Sequence, residues 1–126
     1  MEVRNSGREK PRDSRFELYA WLFMRFSGVL LIGLALGHLV IMHLINNVDI
    51  IDYDFVAARY ATPFWRIYDL IMLLLALLHG LNGMRTIVDD YVHPRLWRRV
   101  SFSLLYSFGF IFTVVGSYTI LAFQPK

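Results

Sequence analysis

Apolar residues gather in three long stretches of the chain, and charged residues lie mostly between them. The stretches cover about residues 18–45, 67–88 and 100–123, and the first contains about twenty residues without a formal charge from Phe26 onward. A helix of that length crosses a hydrocarbon core of roughly 30 Å. None of the stretches alternates with period two, as a membrane strand would. The pattern therefore predicts an all-α protein in which residues 18–126 form a three-helix transmembrane anchor.

Local residues mark where these helices begin and end. Thr62 and Pro63 form a plausible N-cap and first helical residue ahead of the second stretch. Pro94 separates the second and third stretches, because proline interrupts a continuous helix. The polar residues 1–17 form a tail, and the apolar run after it is too long for a cleavable signal peptide. We therefore expect the first span to be retained.

Composition supports the bilayer as the solvent of this chain. The 126 residues are 56% hydrophobic and include no cysteine. Length limits the chain to one domain, and the lack of thiols excludes disulfides and cysteine-ligated zinc or iron–sulfur sites. The three stretches are apolar all round, so lipid or the helices of a partner subunit must cover most of each surface. We expect a larger helical bundle shared with a partner.

The net charge of +3 is a matter of topology and predicts no nucleic-acid partner. Basic residues are concentrated in the tail and after the second stretch, at Arg4, Arg8, Lys10, Arg12, Arg15, Arg95, Arg98 and Arg99, with Arg25 and Arg85 just inside the adjoining helices. The opposite side carries only Arg59, Arg66 and Lys126. The positive-inside rule thus places the N-terminus in the cytoplasm and the first loop and C-terminus outside.

Ionisable groups at membrane depth are costly and usually functional, and His79 is the most informative of them. At 100° per residue, His79, Gly83, Thr86 and Asp90 share one stripe of the second helix. Glycine one turn after the imidazole leaves room for a planar macrocycle, as axial haem ligation requires. A hydrogen bond from His79 to a neighbouring helix is an equally good interpretation of these residues.

Two histidines of the first span are harder to interpret. His38 and His43 are five residues apart, about 140° around a helix, so they cannot both face one cofactor. Small residues at Gly33 and Gly37, and at Gly109 and Gly116, favour ordinary close helix contacts.

The combined pattern of several segments resembles the small cytochrome b membrane-anchor subunit of succinate dehydrogenase (complex II), the subunit usually called D. The resemblance covers nearly the whole chain. The segments that carry it are YAWLFMRFSGVLLIGLALGHL, FVAARYATPFWRIYDL and LLHGLNGMRTIVDDYVHP, in which ten residues separate His79 from Asp90.

The resemblance implies a role for each matching residue. His79 corresponds to an axial ligand of haem b, whose other ligand comes from a second anchor subunit. Tyr91 corresponds to a hydrogen-bond donor to a quinone carbonyl, and Asp90 to the polar surroundings of haem and quinone. Arg25 and Ser27 look like the Arg/Ser pattern found near quinone or haem propionates, although a snorkelling interfacial arginine is an equal interpretation of Arg25.

The resemblance leaves several roles open for His38, a histidine of the first helix. Some anchors bind a second haem ligated from first helices, so His38 could ligate a distal haem, contact a propionate of the proximal haem or bond a partner helix. His43 has the same options with less support, and His93 is expected at the surface.

The resemblance implies a subunit of a succinate:quinone oxidoreductase in the bacterial cytoplasmic membrane. Its partners would be a second anchor subunit, an iron–sulfur subunit and a flavoprotein subunit, and its cofactor one or two haems b per complex, with quinone as substrate. The chain has no thiols for clusters and no glycine-rich dinucleotide loop, so alone it is not expected to be an enzyme. Two alternatives remain, a haem-free structural anchor and the anchor of a quinol:fumarate reductase.

Overall fold

The computed structural model describes residues 14–124, and these residues form helices and no strand. The helices are α1 (Ser14–Leu39), α2 (Tyr53–Ala61), α3 (Pro63–Tyr91) and α4 (Arg95–Ala122). α1 continues into a π-helical segment, Val40–Ile45, and a 3₁₀ turn, Val48–Ile50, precedes α2. Within the described part, three segments are long and apolar enough to cross a membrane, Arg15–Ile45, Pro63–Tyr91 and Arg95–Ala122. The prediction of an all-α, three-span protein is confirmed.

The ends of the long helices agree with the local sequence. Thr62 is the N-cap of α3 and Pro63 its first residue, as predicted. Pro94, at φ −64°, precedes α4, so the chain reverses within residues 92–94. The short helix α2 was not predicted. Its N-cap is Asp52, whose side chain accepts a 2.9 Å hydrogen bond from the backbone N–H of Phe55 and so stabilises the first turn.

α3 is the central helix and packs along both α1 and α4, which scarcely touch each other. Both packings are antiparallel. Along each pair of helices, the residue numbers of the contacting residues increase on one helix while they decrease on the other. Leu73 and Leu81 of α3 meet Gly116 and Gly109 of α4, respectively. A Cβ added to Gly109 would lie 2.5 Å from Cδ2 of Leu81, so a larger residue here would force the Leu81 side chain to move. The prediction that these glycines make ordinary helix contacts is confirmed.

Most of the apolar surface faces outward. Among the described residues, only Ala57, Val88 and Ile120 form a buried apolar core. Large side chains such as Phe26 and Phe110 are 69% and 71% exposed. The three segments bury only 6% to 11% of their most apolar windows inside the chain. Lipid or partner helices must therefore cover them, and the protein is a multi-pass membrane protein.

The bundle has two distinct ends. We call one the Tyr91 end, where α1 begins, α3 ends and α4 begins. The other is the α2 end, where α2 lies beside the start of α3. Arg66 ties this end together: its guanidinium donates hydrogen bonds to the carbonyl oxygens of Leu121 (3.0 Å) and Phe123 (2.6 Å). A cation at the last carbonyls of α4 is favourable, because the C-terminal end of a helix is electronegative.

Candidate functional site

His79 lies in the middle of α3 and is half-buried. It is twelve residues from the last residue of the helix, Tyr91, which is about 18 Å at 1.5 Å per residue. The side chain is thus at membrane depth and faces α1. A neutral imidazole tolerates this position only if its polar nitrogens find partners.

One partner is Ser27 of α1, whose Oγ lies 2.8 Å from Nδ1 of His79. Ser27 is only 1% exposed, the most deeply buried side chain among the described residues. Its hydroxyl also lies 2.6 Å from the backbone carbonyl oxygen of Phe23 and donates to it. This serine therefore joins the backbone of α1 to the ring of His79.

The backbone of α1 approaches the same ring closely. A Cβ added to Gly28 would lie 3.5 Å from Cε1 of His79. One turn further along α3, the space beside Gly83 is taken by Met24, whose Cε would lie 3.6 Å from an added Cβ. The expectation that Gly83 leaves room for a macrocycle stays a prediction, and the flexible end of the Met24 side chain is what lies beside this glycine within the chain.

The other ring nitrogen of His79, Nε2, has no hydrogen-bond partner among residues 14–124. One imidazole nitrogen is thus anchored and the other is available. A haem takes a single axial side chain from each face, so this arrangement fits one axial ligand contributed by this chain. No group of three or more His, Cys, Asp or Glu side chains that could hold a metal ion occurs in the described part of the chain.

Asp90 and Tyr91 lie apart from His79, at the end of α3. Tyr91 is 79% exposed, and Asp90 is exposed too. Asp90 follows His79 by eleven positions, roughly 16 Å along the helix. The chain therefore places two of its four predicted quinone contacts, Asp90 and Tyr91, at the Tyr91 end and does not bring Ser27 to them.

Arg25 is exposed on α1, two residues before Ser27. Its guanidinium carbon lies 4.0 Å from the centre of the Trp21 ring, a cation–π geometry. An exposed arginine stacked on tryptophan is typical of a membrane interface, and the guanidinium remains open to an anionic group. The predicted quinone contacts of Arg25 and Ser27 stay predictions.

Charged side chains connect the three long helices at the Tyr91 end. Arg85 of α3 donates to both carboxylate oxygens of Glu17 of α1 at 3.3 Å and lies 3.8 Å from Asp89. Asp89 in turn accepts a short hydrogen bond from Arg98 of α4. Sequence reasoning placed Arg85 and Arg98 only by topology. It overlooked Glu17, which lies 68 residues from its partner.

A second polar cluster lies near the α2 end, and sequence reasoning missed its central residue. Asp69 of α3 is 8% exposed and accepts hydrogen bonds from Arg59 at 2.8 and 3.3 Å. Arg59 is equally buried and stacks on Trp65, with its guanidinium carbon 4.1 Å from the ring centre. A lone aspartate within an apolar span was the available indication that Asp69 has a buried partner.

Two further side chains complete this cluster. Burial raises the pKa of the Tyr60 phenol above its ordinary value, and the charge of Asp69 and a hydrogen bond to it add to the rise. Nδ1 of His38 lies 3.6 Å from Asp69, buried and without a hydrogen bond to the described residues. His38 thus adjoins an ion pair at the wall of a cavity of about 460 Å³. His43 and His93 are exposed.

Comparison with known proteins adds a family context to this geometry. Residues 6–118 match the family described as "Succinate dehydrogenase/Fumarate reductase transmembrane subunit". A curated protein of Archaeoglobus fulgidus, "Succinate dehydrogenase hydrophobic membrane anchor subunit", is 32% identical over 77 residues. The matched segment covers 61% of this chain and 65% of that relative, so the chain spans less than two thirds of the relative's length.

Proposed function

This chain belongs to the family of succinate dehydrogenase/fumarate reductase transmembrane subunits, and on that premise we propose that it is a haem-ligating anchor of a succinate:quinone oxidoreductase. Three apolar helices hold it in the membrane. Its own residues would ligate haem b, form part of a quinone site and dock soluble subunits. Alone it would catalyse nothing.

The observation that carries the haem proposal is the hydrogen bonding of the two ring nitrogens of His79. Its Nδ1 is bonded to Ser27 while Nε2 is without a partner among the described residues, at membrane depth. A bound haem b would accept and release single electrons there. His79 would hold the iron on one side, and a second anchor subunit would supply the opposite ligand. Arg25 would offer its guanidinium to a propionate or a quinone oxygen.

The quinone proposal rests on Tyr91 and Asp90. Both are exposed at the end of α3, where a quinone ring from the membrane would meet groups that water can reach. The phenol of Tyr91 would donate a hydrogen bond to a quinone carbonyl and so polarise it. Conversion of quinone to quinol takes two electrons and two protons, and Asp90 would pass protons inward from the aqueous edge.

The Tyr91 end is the proposed docking face for the iron–sulfur and flavoprotein subunits. Exposed Arg95 and Arg99 lie there, while Arg98 is engaged with Asp89. By the positive-inside rule this end would face the cytoplasm and the C-terminus would lie outside. The proposed location is the bacterial cytoplasmic membrane, and the second anchor subunit would cover the open faces of α1 and α4.

Haem ligation is tested by His79→Ala in the purified complex. We expect the reduced b-type spectrum to be lost or strongly altered, because the iron loses one axial ligand. His93→Ala is the matched control, since His93 is exposed beyond the end of α3 and is not a candidate haem ligand. A spectrum that is indifferent to His79→Ala would rule out ligation by His79. A wild-type complex without a b-type spectrum would favour the haem-free anchor, for which the Ser27 contact of His79 is the supporting observation.

Quinone contact is tested by Tyr91→Phe. Loss of the hydroxyl should lower quinone reduction by roughly tenfold or more while succinate oxidation by an artificial acceptor stays intact. Tyr118→Phe, on α4 and 71% exposed, is the control for an exposed phenol elsewhere. Equal loss of both activities in Tyr91→Phe would indicate an assembly defect and contradict the proposal.

A further inference from the structure

The hydrogen-bond geometry of Ser27 determines which nitrogen of His79 carries the proton. A serine hydroxyl has one hydrogen to donate and can accept through its lone pairs. Oγ lies 2.6 Å from the carbonyl oxygen of Phe23, and two oxygens at that distance require a proton between them. The single hydrogen of Ser27 is therefore committed to α1.

It follows that Oγ can only accept from His79. Nδ1, 2.8 Å away, must then carry the hydrogen of the neutral imidazole. Nε2 of the same ring is left unprotonated, with its lone pair exposed and no partner among residues 14–124. This is the form in which imidazole binds a metal.

We propose that Ser27 is a positioning residue that fixes the tautomer and the ring orientation of His79, so that Nε2 is presented as an iron ligand. The inference rests on the proposed haem ligation by His79. It reassigns Ser27 from a quinone contact to a support of the ligand. A partner on the distal nitrogen holds a metal-bound imidazole in place and makes it a stronger base.

Three features support this role over simple helix packing. Ser27 is 1% exposed, so no water replaces its hydroxyl at Nδ1. Its bond to Phe23 lies within one turn of α1 and limits rotation of the hydroxyl. Gly28 brings the backbone of α1 close to Cε1 of the ring, which restricts tilting. The imidazole is thus held along one edge by a single helix.

The test compares four forms of the assembled complex: wild type, Ser27→Ala, His79→Ala and Thr113→Val. Thr113 is the matched control because its hydroxyl also donates to a carbonyl four residues earlier, that of Gly109 at 2.7 Å, but on α4. Two quantities are measured, the haem midpoint potential by redox titration and haem affinity by transfer to a competing apoprotein. Assembly is monitored by co-purification of the soluble subunits.

For Ser27→Ala we expect haem affinity to fall about tenfold or more, the usual consequence of losing such a support. The midpoint potential should rise, because a less basic imidazole stabilises ferric iron less well. Thr113→Val should match wild type in both quantities. A merely structural role for Ser27 would lower haem retention without moving the potential of the haem that remains.

Failure of this inference and failure of haem ligation give different results. If His79→Ala abolishes the spectrum while Ser27→Ala has the potential and affinity of Thr113→Val, the positioning role is wrong and ligation stands. If the wild-type complex holds no haem, or keeps its spectrum in His79→Ala, both proposals are overturned.

Discussion

The central helix α3 meets α1 and α4 through interfaces of different chemistry. On the α1 side, hydrogen bonds cross between helices: Ser27 to His79, and the Tyr68 hydroxyl to the carbonyl oxygen of Leu34 at 2.5 Å. On the α4 side, leucine side chains of α3 press against Gly109 and Gly116 of α4. In the middle of the bundle one interface is thus polar and the other is a close apolar fit. The polar contacts between α3 and α4, such as Arg98 with Asp89 and Arg66 with Leu121, lie at its two ends.

This difference shows that close helix packing and the hydrogen bonding of polar side chains occur at separate interfaces of this small membrane protein. Apolar packing in lipid depends on close approach, and the α3–α4 interface achieves it with Gly109 and Gly116. Polar groups at membrane depth are costly unless they are hydrogen-bonded. The α1–α3 interface satisfies them by hydrogen bonds between the helices, and it contains the candidate ligand His79. The first prediction below tests the buried ion pair between α2 and α3, and the next two test whether the two interfaces fail in these different ways.

The largest loss of stability is expected when the polar cluster near the α2 end is disrupted. Arg59→Ala leaves the buried carboxylate of Asp69 without its cation, and removing one partner of a buried pair costs about 3–5 kcal/mol. Denaturant titration of the complex in detergent measures the loss. The double variant Arg59→Met with Asp69→Leu should be far more stable than Arg59→Ala. A double variant as unstable as the single one would show that the unpaired charge is not the cause.

A smaller effect is expected where α3 and α4 fit together. Gly109→Ala places a Cβ 2.5 Å from Cδ2 and 3.1 Å from Cγ of Leu81, and such overpacking costs about 1–3 kcal/mol. Combining it with Leu81→Ala should recover part of the loss. Gly33→Ala is the control, since nothing described lies within 4 Å of its added Cβ. Equal losses at Gly33 and Gly109 would argue against a close fit specific to α4.

The smallest effect concerns a single hydrogen bond between α1 and α3. Tyr68→Phe removes the donor to Leu34, and a bond of this kind contributes about 0.5–1.5 kcal/mol. The same titration compares it with Tyr106→Phe, whose phenol is 52% exposed and donates to no described residue. If both variants match wild type, the polar interface contributes little stability and its bonds matter mainly for the orientation of side chains.

Much of the fold could be predicted from the sequence because it depends on local patterns. Span lengths follow from runs of apolar residues, and the breaks at Pro63 and Pro94 follow from the properties of proline. His79 could be singled out because an ionisable residue in an apolar span is rare. These features need no knowledge of how the helices pack.

The pairings between helices could not be predicted, because they depend on the register in which the helices meet. Ser27 and His79 are 52 residues apart, and only the packed α1–α3 interface brings them together. Asp69 finds Arg59 because α2, a helix that the sequence did not predict, folds back against α3. The stripe through His79 was correct as helix geometry, but it could not show that Met24 covers Gly83.

The central claim is that Nε2 of His79 is a ligand of haem iron, and the coordination state of that iron tests it most directly. Electron paramagnetic resonance of the oxidised complex should show low-spin, six-coordinate iron in wild type. In His79→Ala the account predicts high-spin iron or loss of haem from the complex. A low-spin signal unchanged by His79→Ala would contradict the account, because the iron would then take both of its ligands from other residues.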